Sequence, residues 1–390
     1  MSELATLVAH VVLDSPLPQL DHPFDYKIPH HLVGSVKVGQ KVIVPLRSGK
    51  RMCDAWVIAI SETSAFAGNL AEVSSIHGEL ALLPSELYEL ARLVADRQAG
   101  SAIDVLRLAI PPRYVRAEKS YLANEGNNDQ TESVAGPEPV PSTDAESTAH
   151  SVILGSGERV AWICGGGVEQ LSNGEWVPRW CSVYAKLAAE KIAHGESVIV
   201  AVPDFRDIVV AQRALATVLD EKLIVRLDAG LPGAQRYTNY LRTLENQACV
   251  VLGNRSSVYA PVHNLGAIAV WDSSDESFSE PLAPYAHARD VALIRQSLSK
   301  CALLLGAHVL SPEVARLVSL DYLLEKVDDV SSATILVTDD LQQTDGVDEP
   351  NGRSGSRIPA TAVVEARRAI AHGPVLVQVA RPGYSGSLRC

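Results

Sequence analysis

Two short apolar runs within residues 250–295 constrain the fold of this chain more than any other feature. The first run, CVVL, stops at Gly253, and the second, LGAIAV, stops at the polar stretch WDSSDE at 271–276. Short continuous apolar runs bounded by glycine and polar residues are typical of buried parallel strands. Ligands of open parallel sheets bind at the loops that follow such strands. We therefore expect any chemistry of this region at residues 253–259 and 271–290.

The same kind of run recurs along residues 158–325, in alternation with helical patterns. Strands that alternate with helices at this spacing predict a parallel sheet with helices on both faces. Residues 326–390 show the beginning of a second lobe of this type, with predicted strands at 333–337 and 374–379 and a helix at 359–371. The predicted fold class is therefore α/β in the central and C-terminal parts of the chain.

Residues 1–112 predict a small, mostly β domain. A β-rich run covers residues 6–13, and the segments 42–44 and 56–58 have the pattern of a hairpin. A helix is predicted over residues 84–94, with Ser85 as its N-cap and one apolar face. That face is formed by Leu87, Leu90, Ala91 and Val94. Residues 113–157 are rich in polar and acidic side chains and predict a disordered linker.

Composition limits the class of protein. The chain has 390 residues, 47% hydrophobic and 21% charged, which suits two or three soluble domains. No apolar run has the roughly 18–20 residues that a membrane span needs. Six scattered cysteines without a C-x-x-C pair favour a reducing cytoplasm over a disulfide framework. The net charge of −12 means that any DNA contact depends on a local basic patch.

Several motifs resemble those of the primosomal protein N′ (PriA) family of replication-restart proteins. The family pattern is G-T-R-S-A-x-F-A-P, N-L-G, D-E-E-H and Y-x-x-R-D. This chain has GNRSSVYAP at 253–261, NLG at 264–266 and HARD at 287–290, and its N-terminal part has FDY at 24–26 and IPP at 110–112. The resemblance implies an N-terminal 3′-end DNA-binding domain, a RecA-like helicase lobe, and a second lobe that begins near residue 326.

The nucleotide motifs depart from the family pattern. A phosphate loop needs a Lys-Ser/Thr pair after its glycines, because the lysine reaches the phosphates and the hydroxyl holds Mg²⁺. Gly165, Gly166 and Gly167 follow a predicted strand and precede a predicted helix, but no such pair follows them. The metal carboxylate of D-E-E-H is replaced by Trp271, and Asp272 stands one position later. We therefore expect neither ATP hydrolysis nor helicase activity.

The candidate DNA site lies in the N-terminal domain. In the family, Phe and Asp of F-D-Y help to form a pocket for the last base and free 3′-hydroxyl of a strand, which implies these roles for Phe24 and Asp25. An alternative is that Phe24 and Tyr26 are core aromatics, and that the nearby basic residues form a solvated hairpin face. The basic candidates, which have no acidic residue between Asp25 and Asp54, are Lys27, Lys41, Arg47, Lys50 and Arg51.

Arg255 and Arg289 correspond to family positions near DNA or the lobe interface, or else they are structural. Cys390 matches the first cysteine of the family's zinc-binding region, so zinc is expected only in a longer form, and no cofactor within this chain. The implied partners are forked DNA, primosome proteins and single-strand-binding protein, with no membrane. Two alternatives stay open, namely an active ATP-dependent 3′–5′ helicase and a protein-interaction scaffold without a DNA role.

Overall fold

The computed structural model describes residues 7–46, 51–64, 66, 68–128, 154–328 and 360–378. It contains two compact units, Met1–Val330 and Ser331–Cys390. In the second unit the described part contains helix α9 (Ala360–Ala369), which agrees with the helix expected at 359–371. Residues 374–378 do not form the expected strand. The strand expected at 333–337, Cys390, Arg47 and Lys50 lie outside the described residues.

The N-terminal part of the first unit is a five-stranded antiparallel sheet in the order β2-β1-β4-β3-β5. The predicted hairpin is confirmed, since Leu46 at the end of one strand lies opposite Arg51 at the start of the next. Side chains alternate along a strand, so one face of the sheet encloses a small core. The strands are β1 (Val8–Leu13), β2 (Phe24–Lys27), β3 (Lys41–Leu46), β4 (Arg51–Ser61) and β5 (Ser75–Ile76).

Three helices follow this sheet: α1 (Ser85–Arg97), α2 (Ala102–Ala109) and α3 (Val115–Asn128). The predicted apolar face of α1 is confirmed, because all four of its residues are buried. Ser85 is not the N-cap, since the helix begins at that residue and Pro84 precedes it without a side-chain cap.

The linker prediction is wrong over helix α3. Glu118 of this helix is buried and accepts hydrogen bonds from Arg113 Nε at 2.7 Å and Tyr237 Oη at 2.7 Å. These hydrogen bonds offset the free-energy cost of burying the Glu118 charge. The polar composition of the segment does not reveal them.

The central part is a seven-stranded sheet in the order β10-β11-β9-β12-β13-β6-β14, and all of its pairs are parallel. The two apolar runs form strands β11 and β12, which lie on either side of β9 and are buried almost throughout. The parallel-sheet prediction is therefore confirmed. The strands are β6 (Arg159–Ile163), β9 (Ser197–Ala201), β10 (Ile224–Leu227), β11 (Val250–Gly253), β12 (Leu265–Trp271), β13 (Ala302–Ala307) and β14 (Leu324–Val327).

Helices cover both faces of this sheet. Helices α4 (Arg179–Ala193) and α5 (Phe205–Ala216) pack on one face. Helices α6 (Gly233–Thr243), α7 (Ala288–Ser299) and α8 (Pro312–Ser319) pack on the other. Apolar residues of α1 and α2, together with Trp56 of β4, belong to that second core, whereas the small core of the N-terminal sheet is separate from it.

Two details differ from the sequence-based expectation. A hairpin of β7 (Val168–Gln170) and β8 (Trp176–Pro178) separates the glycine loop from α4, so the loop does not lead directly into a helix. Strand β14 continues the sheet to Val327, two residues beyond the expected lobe boundary. Among the described residues no helix combines the length and apolar character needed to cross a bilayer.

Candidate functional site

Asp25 lies at the centre of a hydrogen-bonded group on the N-terminal sheet. It stands directly opposite His10 in the pairing of β2 with β1, and its Oδ1 is 2.7 Å from His10 Nδ1. Ser64, just after β4, donates its hydroxyl to Asp25 Oδ2 at 2.5 Å. The second ring nitrogen of His10, Nε2, lies 2.8 Å from Ser61 Oγ. Two strands and the following loop therefore fix the orientation of the Asp25 carboxylate.

Ser61, His10 and Asp25 have the order of a Ser-His-Asp triad, but the hydroxyl of Ser61 has another acceptor. Ser61 Oγ donates to the Thr63 carbonyl at 2.6 Å, so its proton is directed away from His10. A nucleophilic serine needs its hydrogen bond directed to the base. The hydrogen bonds of this group therefore hold the Asp25 carboxylate in place, and they do not activate Ser61 as a nucleophile.

The aromatic residues on either side of Asp25 belong to the opposite face of the strand, because side chains alternate along β2. Phe24 is partly buried and stacks on His22, with ring centroids 4.2 Å apart. Tyr26 is buried in the small core and donates its hydroxyl to the Pro45 carbonyl at 3.0 Å. The expectation that Tyr26 contacts DNA is wrong, because its side chain is enclosed by the sheet. The core-aromatic alternative holds for Tyr26, while Phe24 keeps a partly exposed ring.

The basic residues of the hairpin are less available than the sequence suggests. Lys41 forms ion pairs with Asp14 at 2.9 Å and Asp54 at 3.1 Å. Burial acts to lower the pKa of Lys41, but its hydrogen bonds and charge interactions with these carboxylates outweigh it and raise the pKa. Lys27 lies 3.7 Å from Glu72, whereas Arg51 is exposed. Lys41 is therefore committed to the fold, and Arg51 keeps its place as a candidate phosphate contact.

Arg255 and Arg289 are held by carboxylates in the central lobe. Arg255 Nε lies 2.7 Å from Glu280 Oε2, and Arg289, which is buried, lies 3.1 Å from Asp290 Oδ1 and 3.4 Å from Glu313 Oε2. These contacts support the structural role for both arginines. His287 accepts a hydrogen bond from the Arg289 amide and caps α7. Burial first, and then the Arg289 charge, lower the pKa of His287.

Aromatic rings occupy the edge where the sheet of the central lobe would hold a nucleotide. Trp271 ends β12 and is buried against the rings of α4 and the loop after β13. Its indole stacks on Trp180, with centroids 4.7 Å apart and an interplanar angle of 11°. Tyr184 and His308 approach it edge-on at 6.3 Å and 5.0 Å, and Trp162 lies 6.4 Å away. The metal carboxylate of the family pattern is thus replaced by part of a packed aromatic cluster.

Asp272 lies beyond the end of β12 and does not substitute for that carboxylate. Its backbone has φ 46°, and its amide donates to the Gly306 carbonyl at 2.7 Å. The hydroxyl of Ser274 donates to Asp272 Oδ1 at 2.6 Å. On a continuing strand a carboxylate one position later would face the opposite side of the sheet. The structure instead places Asp272 in a turn after β12. Among the described residues, no group of three or more His, Cys, Asp or Glu side chains is arranged to hold a metal ion.

Sequence reasoning missed His10, Ser61 and Ser64 around Asp25. Position 10 lies in a predicted strand, but only the strand pairing brings it opposite residue 25. Sequence reasoning also missed Trp180, whose partner is 91 positions away. The sequence pattern does not reveal either set of contacts, because they depend on the register of the strands and on the topology of the sheets.

The N-terminal residues 10–111 match the family model described as 3′DNA-binding domain (3′BD). The match covers the five-stranded sheet and the first two helices. The fold and the Asp25 site, together with this match, define the class: an α/β protein whose N-terminal sheet is a domain of the 3′DNA-binding type.

Sequence similarity over almost the whole chain identifies relatives within this class of protein. The chain is 34% identical over 384 residues to the "Probable replication restart protein PriA" of Mycobacterium leprae, an alignment of 96% of this chain and 56% of the relative. The protein of the same name from Mycobacterium tuberculosis H37Rv is 33% identical with the same coverage. That of Treponema pallidum is 25% identical over 78% of this chain and 44% of the relative. The chain is PriA-like over almost its whole length, in agreement with its motifs.

The chain spans a little over half the length of the mycobacterial relatives that it matches. Among solved structures, RecG bound to a three-way DNA junction shows a TM-score of 0.31 and 12% identity, over 63% of this chain and 30% of that one. A score this low supports no conclusion about ligands.

Proposed function

We propose that this chain is a DNA-binding replication-restart protein that recognises the 3′ end of a strand at branched DNA and does not hydrolyse ATP. The observation that carries the proposal is the match of residues 10–111 to a 3′DNA-binding domain, with a fixed carboxylate at Asp25. The names of the relatives as replication restart proteins support the cellular role.

The chemistry of Asp25 favours a strand end over a strand interior. An ionised carboxylate only accepts hydrogen bonds and is repelled by phosphate, which dominates the rest of a DNA strand. A free 3′-hydroxyl offers a donor without that charge, and a charge-assisted bond to it is stronger than a neutral one. Phe24 lies on the other face of the strand, so the expected pocket shared by Phe24 and Asp25 does not form, and the proposal depends on Asp25 alone. The preferred ligand is therefore a 3′-hydroxyl end and not a 3′-phosphate end.

The central lobe would take part in assembly of the primosome and would not drive DNA unwinding. Hydrolysis of ATP requires the lysine, hydroxyl and metal carboxylate that residues 165–167 and 271 lack. Trp271 is instead buried in a stack with Trp180. We propose that this inert lobe contacts primosome proteins and single-strand-binding protein, while the N-terminal domain engages the fork.

Binding of synthetic forks tests the proposal. Forks that differ only in a 3′-hydroxyl or a 3′-phosphate on the nascent strand are titrated with wild-type protein and with Asp25→Asn, and affinities are measured by fluorescence anisotropy. We expect wild type to prefer the hydroxyl end by about tenfold, the effect of roughly 1.4 kcal/mol. The Asn variant, which keeps the shape but loses the charge, should bind both forks alike.

Two results would overturn the proposal. Equal affinity of the wild-type protein for both ends removes the role of Asp25 in end recognition. Failure to bind any fork, even at low salt where phosphate contacts are strongest, favours the scaffold without a DNA role. A matched control is Asp321→Asn, since Asp321 is an exposed carboxylate in the central lobe.

A further inference from the structure

The carboxylate of Asp328 lies in a cradle of three donors beside the glycine loop. Asp328 follows β14 directly, and its side chain is 11% exposed. Its Oδ1 accepts the indole N–H of Trp162 at 2.7 Å, and its Oδ2 accepts the backbone N–H of Gly165 at 3.2 Å. Arg179 places Nη1 3.6 Å from the same Oδ2. The donors come from β6, from the loop after it and from the first residue of α4.

This arrangement has the chemistry of an oxyanion site. Backbone amides after a parallel strand and a guanidinium are the groups that proteins use for carboxylate and phosphate. The loop also lies at the carboxyl edge of the sheet, where open α/β sheets bind their ligands. The position fits an anion, although residues 165–167 have lost the nucleotide pattern.

Without Asp328, the donors of the cradle would not all have hydrogen-bond acceptors. Arg179 Nε and Glu169 Oε1 are both buried without a hydrogen-bond partner and lie 3.6 Å apart. The other oxygen of Glu169 accepts the Ser182 hydroxyl. Glu169 thus offsets part of the arginine charge from the hairpin side, and Asp328 faces it from the loop side. Removal of Asp328 leaves three donors directed at one vacated position.

We propose that Asp328 is an internal ligand of a small-oxyanion site, and that a free carboxylate or phosphate takes its place once the side chain is withdrawn. Trp162, which donates to Asp328, also packs 6.4 Å from Trp271, so aromatic rings border the site. The ligand that fits in place of one carboxylate is a small ion and not a nucleotide. The internal ligand also ties the end of the edge strand β14 to the glycine loop. The proposal is independent of DNA binding, because no residue of the N-terminal domain takes part.

Chemical rescue of Asp328→Ala tests the proposal. The substitution removes a group that has the shape of formate, so the variant is melted in formate, inorganic phosphate and chloride at equal ionic strength. We expect formate and phosphate to raise the Tm of the variant by several degrees over chloride, with half-saturation in the millimolar range. Wild type should respond to the three salts alike. Glu325→Ala, an exposed carboxylate removed from the same strand, is the matched control.

Arg179 supplies the second arm of the experiment. In the double variant with Arg179→Gln the response to formate and phosphate should disappear, because the guanidinium is the charged donor of the cradle. An anion response that survives this change, or one equal to that of wild type, overturns the proposal. If Asp328→Ala does not fold, the isosteric Asp328→Asn is combined with Arg179→Gln in a double-mutant cycle. Each variant of that cycle is melted in the same three salts. A rise of Tm in formate and phosphate that requires Arg179 supports the proposal, and no rise, or one that persists without Arg179, overturns it.

Discussion

The indole of Trp271 lies flat against that of Trp180, 4.7 Å between centroids, at the end of the strand where the PriA-family pattern has its metal carboxylate. An offset or parallel aromatic pair contributes roughly 0.5–1.5 kcal/mol beyond its buried area. The position that has a metal carboxylate in the family pattern thus has a side chain that stabilises the lobe. At this position the structure shows a packed indole where the family pattern has a carboxylate.

The first prediction concerns ATP. We expect no DNA-stimulated phosphate release from the wild-type protein, and none from Trp271→Asp, because a carboxylate alone does not supply the missing lysine and hydroxyl. A coupled phosphate assay with forked and single-stranded DNA measures this. The helicase alternative requires the opposite outcome, namely DNA-stimulated hydrolysis that Asp272→Ala abolishes.

The second prediction concerns stability. Trp271→Ala should lower the free energy of unfolding by about 3–5 kcal/mol, the usual cost of removing a large buried aromatic side chain. Trp176, which is 63% exposed, serves as the matched control, and its replacement by alanine should cost within about 0.5 kcal/mol. Urea unfolding followed by circular dichroism measures both. Similar losses for the two variants would mean that the cluster is not packed as described.

The third prediction concerns His10. His10→Asn places an amide N–H near the position of Nδ1 and keeps a donor for Asp25, whereas His10→Gln reaches toward Ser61 instead. We expect the Gln variant to lose about tenfold of the preference for 3′-hydroxyl forks, and the Asn variant to retain most of it. Anisotropy titrations with the two forks give the ratio. Equal ratios for both variants would assign His10 a role in stability alone.

The fourth prediction concerns acid pH. Burial acts to raise the pKa of Asp14, but Lys41 and then Arg107 outweigh it and hold the pKa below its usual value. A carboxyl with a lowered pKa in the folded state contributes stability above its unfolded pKa and loses it as the pH falls through the folded value. The unfolded value is about 3.9. The free energy of unfolding should therefore decline below about pH 4, and less steeply in Asp14→Asn.

Urea titrations at a series of pH values measure that slope. Asp321→Asn is the control, because Asp321 is exposed and belongs to neither ion pair. If Asp14→Asn and wild type decline in parallel, the Lys41–Asp14 pair makes no contribution that depends on pH.

Local patterns were sufficient for much of the fold. The hairpin of β3 and β4, the apolar face of α1 and the parallel strands around Val250–Gly253 follow from period and punctuation, which act within a few residues. Helix α3 did not follow, because its polar composition suggested a linker. Its stability comes from Glu118, whose partner Tyr237 lies 119 positions away.

The candidate sites show the same division. The sequence indicated Asp25 and the loss of the nucleotide motifs, because both are short patterns. It suggested an open basic patch, yet Asp14 reaches Lys41 from 27 positions away and neutralises it. Asp328 meets Trp162 across 166 positions of sequence. Contacts of this kind depend on the chain topology. The composition of one segment does not reveal them.

The core that α1, α2 and Trp56 of β4 share with the parallel sheet has a consequence for how the molecule unfolds. Leu87 and Leu90 of α1 bury their side chains in the same core as Tyr240 of α6, and the Tyr240 hydroxyl donates to the Leu82 carbonyl at 2.7 Å. Separating the parallel-sheet lobe would leave that apolar surface and a carbonyl exposed. The N-terminal domain and the central lobe should therefore unfold in one cooperative step. The stability of the N-terminal domain should therefore depend on the central lobe, whether or not that lobe uses a nucleotide.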